Sequence, residues 1–131
     1  MKSHYTIDAD RGIIFKKHKG EITVKDEIDL LNTIISDPLF RKGMHAICDF
    51  TDATVVWELA DLDQFRAYVN RSHSAWGNCK WAIIFPPGKD TSAARMFVAL
   101  NDAFTQSISA KLFQSAADAI AWVLEPVPAK P

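Results

Sequence analysis

Apolar positions along this chain follow two rhythms, one of period two and one of period three to four, and the places where they switch mark its elements. Residues 4–8 and 12–17 have strand character. Between them Asp10, Arg11 and Gly12 supply the residue types of a tight turn, so the chain opens on a β-hairpin. Ile28, Leu31 and Ile35, with Ile34 alongside, recur at helical spacing. Thr23 and Asp26 stand at the head of that helix as a capping box with Asp in place of Glu, and Asp37-Pro38 closes it, because the residue before proline disfavours helical geometry. Residues 44–51 alternate, Met44, Ala46, Cys48 and Phe50 to one face and His45, Ile47 and Asp49 to the other. A second helix is expected from Asp61, with Gln64 as its cap partner and Leu62, Phe65 and Val69 turned inward, fraying near 71–74.

The segment 80–85 behaves differently. Trp81, Ala82, Ile83, Ile84 and Phe85 show no alternation, which predicts a strand covered on both faces, as in a parallel sheet. Pro86-Pro87-Gly88 ends it, and Asp90, Thr91 or Ser92 caps a third helix with the stripe Ala93, Met96, Phe97, Leu100 and Phe104. Residues 108–113 form the last strand. Ser115 and Asp118 cap a final helix carrying Ala116, Ala119, Ile120 and Val123, which Pro126 and Pro128 stop, leaving 125–131 as a loose tail. Strands alternating with helices imply an α/β class: a mixed, mostly parallel sheet of four to five strands, an N-terminal hairpin, about four helices and right-handed crossovers.

At 131 residues the chain reads as one domain, 1–131, able to bury a core without a disulfide or metal staple. Net charge −1 and a pI near 6.4 argue against a nucleic-acid partner. Cys48 and Cys79 fall in apolar runs and read as reduced, buried residues. No apolar run approaches the roughly 20 residues that span a bilayer, and no signal-peptide core precedes the hairpin, so the expectation is a cytoplasmic protein.

The chemistry is sparser. The run Lys16, Lys17, His18 and Lys19 reads as a solvated edge or loop. His4, His18, His45 and His73 lack metal-ligand spacing, no serine has an elbow motif, and no cofactor fingerprint is present, so no enzyme is expected. In open α/β sheets ligands sit outside the carboxyl ends of the strands, which gathers Thr51, Asp52 and Thr54 with Lys89, Thr91 and Ser92. Gly88-Lys89 before hydroxyls could hold an anion, but it is not a P-loop: the upstream glycine is missing and Asp90 follows the lysine. Val55, Val56, Trp57 and Leu59 make a connection too apolar for a solvated loop, which invites a hydrophobic ligand or partner subunit. The candidate ligand-binding residues are therefore Thr51, Asp52, Thr54, Val56, Trp57, Lys89, Thr91, Ser92 and Met96.

The order of elements, the strand at 44–51 with its polar turn, and the closing segment 111–123 with Phe113, Ser115, Ala119 and Trp122 resemble the SpoIIAA-like branch of the STAS fold. That resemblance implies a small SpoIIAA/STAS-like sheet packed against helices, and kinship with folds that carry lipids or sense hydrophobic ligands. Better-known STAS members are regulatory proteins switched by phosphorylation in an Asp-Ser-Ser-Gly motif. The matching place here, Asp49-Phe50-Thr51-Asp52-Ala53-Thr54, keeps an acid and hydroxyls but lacks the glycine. The expectation is a non-catalytic module for a lipid-like or hydrophobic small molecule. The alternative is a STAS-type regulatory module that docks a protein partner or a second copy of itself.

Overall fold

The structure, a computed structural model, describes residues 3–104 and 107–126. Its elements run β1 (Ser3–Asp8), β2 (Ile13–Glu21), α1 (Val24–Ile35), β3 (His45–Thr54), α2 (Leu59–Trp76), β4 (Cys79–Ile84), α3 (Ser92–Phe104), β5 (Ile108–Phe113) and α4 (Ala116–Leu124). The sheet has the order β1-β2-β3-β4-β5, with β1 antiparallel to β2 and every later pair parallel. Because each crossover steps to the next strand in the same direction, a constant hand puts α1, α2 and α3 on one face. That face carries the larger core, built from Leu31 and Ile34 of α1, Phe65 and Val69 of α2, Phe97 of α3 and the inward residues of the strands. α4 follows the last strand and is free of that constraint. It covers the opposite face with Ala119 and Val123 over Ile13, Ile47, Ala82 and Ile84. β4 is thus buried on both faces throughout.

Local chemistry fixes the helix starts. Thr23 Oγ1 accepts from the Asp26 amide at 3.1 Å while the Thr23 amide donates to Asp26 Oδ2 at 2.9 Å, the expected capping box. Ser115 receives the Asp118 amide at the head of α4. Asp90 Oδ1 accepts from the backbone amide and hydroxyl of Ser92 at the start of α3.

Four sequence expectations shift. β2 does not stop at Lys17 but runs to Glu21 through the basic segment, because β3 continues beside it to Thr54. α2 starts at Leu59, not Asp61: Asp61 sits one turn in and accepts the amide of the capping Glu58 at 2.9 Å. The same helix does not fray at 71–74. It continues to Trp76, whose fully buried indole packs edge-on against Phe40 and Trp81 and anchors that last turn. Gly77 then reverses the chain at φ +73°, where an added Cβ would lie 2.7 Å from Lys42 Cγ. Finally, the stripe of α3 keeps the expected Phe97 and Leu100 and adds Ala94 and Val98, while Met96 is 48% exposed. The side chain of Phe104 and residues 127–131 of the expected tail lie outside the described residues.

Candidate functional site

Three parallel strands present alternate side chains to the helical layer, and under α3 they do not fill the space. Cys48 and Phe50 of β3, Trp81 and Ile83 of β4 and Phe85 just beyond form one wall. Phe65 of α2, the connection residues Val55 and Trp57, and Ala93, Ala94 and Phe97 of α3 form the other. The two small alanines leave a cavity of about 60 Å³ between them. Its aromatic wall is tightly braced: Phe65 sits 5.2 Å from both Trp57 and Phe97, and Phe50 stacks on Phe85 at 5.0 Å.

One end of this carbon-lined space is ionic. Lys16 of β2 and Glu27 of α1 are 3% and 4% exposed and form a salt bridge at the cavity edge. Lys16 Nζ also lies 3.6 Å from the Cys48 sulfur. His18, wholly buried one strand period further on, stacks on Phe50 at 4.2 Å and shares a 2.8 Å hydrogen bond between Nδ1 and Ser3 Oγ. Its Nε2 approaches Glu27 Oε2 at 3.5 Å without making a hydrogen bond, and neither atom has another such partner among the described residues.

Charge states follow from the packing. Burial works against the Lys16 ammonium, but the adjoining Cys48 sulfur and Glu27 carboxylate favour it by more, so its pKa is raised. Burial likewise opposes the Glu27 carboxylate, and Lys16 followed by His18 outweighs it, so its pKa is lowered. Burial, aided by Glu27 and opposed by Lys16, pushes the Cys48 thiol up, and burial pushes His18 down to about 4, leaving it neutral near pH 7. The assembly is a neutral cluster of one cation and one anion beneath an apolar chamber.

A solved structure of an uncharacterised protein from the DUF3478 family of Shewanella loihica PV-4, described as having a SpoIIAA-like fold, matches with a TM-score of 0.58. The match covers 92% of this chain and 93% of that one, at 16% identity. The chain has a SpoIIAA-like fold. No protein-family model and no curated protein matches the sequence.

Within this SpoIIAA-like sheet the expected ligand-binding residues do not converge. Trp57 alone lines the cavity, donating from Nε1 to the Ile22 carbonyl at 2.9 Å. Val56 is 66% exposed, and Met96, next in the chain to the lining Phe97, is exposed too. Thr51, Asp52 and Thr54 are exposed at the end of β3. There Asp49 Oδ1 takes the Thr51 amide and hydroxyl, and Lys17 bridges Asp49 and Asp52 at 3.2 and 3.4 Å. Lys89 turns its ammonium onto the Ala53 carbonyl at 3.2 Å. With Thr91 it borders a separate open groove at the carboxyl ends of β4 and β5, while Ser92 is held by Asp90.

The expectation of a solvated edge at residues 16–19 is overturned for Lys16 and His18. In the SpoIIAA-like order β2 is an interior strand, so its alternate side chains face the helices whatever their polarity. Two signals carried this information. Continuing the period of two from buried Ile14 puts Lys16 and His18 on its face, and Glu27 falls on the apolar face of α1 between Val24 and Leu31. Opposite charges at core phase in consecutive elements mark a buried pair.

Proposed function

We propose that this chain is a non-catalytic binding module that takes an apolar small molecule into the cavity between its sheet and α3. The observation that carries the reading is that cavity, a carbon-lined space opening against a buried Lys16–Glu27 pair. The volume suits a few heavy atoms; a longer ligand requires the first turns of α3 to move outward. Exposed Val56 and Met96 stand next to lining residues in sequence, with Leu59 two residues beyond Trp57. A binding rather than catalytic role is supported by the charge states: Lys16 is held as an ammonium and Cys48 as a thiol, so neither is a ready nucleophile.

The test is a titration with xenon under pressure, a single apolar atom of a size for this volume, read by the fluorescence of Trp57 and Trp81, which stand in the wall. A saturable change with a rise in melting temperature is expected for the native chain, and its loss in Ala94→Phe, which fills the space. No saturable response in the native chain would overturn the reading.

A second reading, a module that docks a protein partner or another copy of itself, is favoured by the exposure of Val56 and Leu59, 66% and 65%. Sedimentation of the native chain against Leu59→Glu would reveal it. Phosphate switching at Thr51 gains no support, because that hydroxyl sits on the Asp49 carboxylate within β3, ahead of the helix amides of α2.

A further inference from the structure

We propose that β1 is a dimerisation edge. It pairs antiparallel with β1 of a second copy of this chain, about a twofold axis at Thr6, and joins the two five-stranded sheets into one. The interface uses neither the cavity nor the exposed Val56 and Leu59. A sheet edge is a row of unpaired N–H and C=O groups, which proteins blunt with lysine, proline, a bulge or a covering helix. The edge at β5 carries Lys111 and is packed by both α3 and α4. The edge at β1 has no such protection. Its six residues, Ser-His-Tyr-Thr-Ile-Asp, include neither lysine nor proline, and they pair with β2 from Ser3 to Asp8 without a register shift. α1 packs on one face of the strand, while His4 and Thr6 on the other are exposed. An open groove of about 530 Å³ runs beside it, with Tyr5 of the strand and Leu30 and Thr33 of α1 in its lining.

The sequence of the strand selects its own copy as the occupant. Pairing with β2 sets His4, Thr6 and Asp8 on the face of Ile13 and Phe15, and Ser3, Tyr5 and Ile7 on the face of the larger helical layer. A twofold axis normal to the sheet keeps both helical layers on one side, so only residues of the same face oppose each other. Centred on Thr6, that axis sets His4 against the partner's Asp8, Tyr5 against the partner's Ile7, and Thr6 against the partner's Thr6. Each is a favourable cross-strand pair: an imidazole donor on a carboxylate, an aromatic ring on a β-branched side chain, a hydroxyl on a hydroxyl. The first two pairs occur twice by symmetry. Centring on Tyr5 instead sets Ser3 against the partner's Ile7 and brings together two phenols, each already given to Asp37. Asp8 keeps acceptor capacity, because the Arg11 amide takes one of its oxygens and Arg11 Nε the other, one bond each. The α1 carboxylates in the groove are answered within the chain: Asp26 takes the Thr23 amide and Asp29 takes Lys25.

Sedimentation equilibrium of the native chain and two charge variants tests the interface. Because Thr6 is exposed, Thr6→Lys and Thr6→Glu are expected to keep the native far-ultraviolet circular dichroism. The native chain is expected to be a dimer. Each variant alone sets like charges against each other on the axis and is expected to raise the dissociation constant by about tenfold or more. An equimolar mixture of the two is expected to recover the dimer. Position is checked by oxidation: Thr6→Cys should cross-link to its copy, and His4→Cys, about 13 Å from its own copy in this register, should not. A native chain that stays monomeric at high micromolar concentration would overturn the proposal. So would a dimer that survives both charge variants, one that dissolves in Leu59→Glu, or one in which Thr6→Cys fails to cross-link, since each places the interface elsewhere.

Discussion

Lys16 is where polar chemistry enters the core, and its stability follows from its partner. Removing one member of a buried ion pair strands the other away from water, whereas removing both leaves packing to compensate. Glu27→Leu or Lys16→Met alone should therefore destabilise by about 3–5 kcal/mol, and the double variant should recover most of that loss. A double-mutant cycle by urea unfolding checks it, and additive losses would contradict the pairing. His18 gives a pH signature. Its pKa is about 4 when folded against an ordinary 6.5 for a solvated imidazole, so below pH 6.5 the unfolded chain takes up the proton first. Stability is then full above pH 6.5 and falls as pH drops towards 4, by on the order of 3 kcal/mol. His45, also lowered by burial and then by Lys80, adds to the same window. The urea midpoint should fall between pH 7.5 and 5, and His18→Phe should flatten most of that slope; an equal slope in the variant would deny His18 the role. None of this was visible in the local composition. Four polar residues in a row resemble a solvated edge, and it is the period of two continued from Ile14, with β2 placed between β1 and β3, that turns two of them inward.

The elements themselves were far more legible, because each rests on short-range physics. The capping pairs Thr23–Asp26 and Ser115–Asp118, the proline after Asp37 and the unalternating run at β4 locate starts, stops and burial from a few neighbouring residues. The boundaries that moved depended on distant partners: β2 and β3 lengthened by pairing with each other, and α2 lengthened because Trp76 docks on Phe40 and Trp81. α4 depends on one such long-range contact. Buried Lys80 of β4 donates to the Trp122 and Glu125 carbonyls at 2.8 and 2.7 Å, capping the helix end, and its ammonium lies 5.3 Å from the Trp122 ring. Lys80→Met should release that turn, costing roughly 1.5–3 kcal/mol. Amide exchange should quicken chiefly in α4, and a uniform loss of protection across the sheet would contradict a local cap.

Across the molecule the sheet is covered unequally, three helices on one face and α4 on the other, and the cavity lies in the thicker layer. The fold class was readable because a consecutive strand order follows from alternating elements. The site was not, because its members come from β2, β3, β4, α1, α2 and α3 and meet only after folding. The strand-end expectation drew on where open sheets commonly bind ligands, whereas here the space opens beneath α3, with Trp57 as the shared residue. No described helix is long and apolar enough to cross a membrane. Whether the cavity holds a small molecule is decided by mass spectrometry of the chain purified from its own host, under native and then denaturing conditions. A mass carried in the native spectrum, lost on denaturation and absent from Ala94→Phe, is expected. A native spectrum showing only the bare chain, from material kept free of detergent and organic solvent, would contradict it.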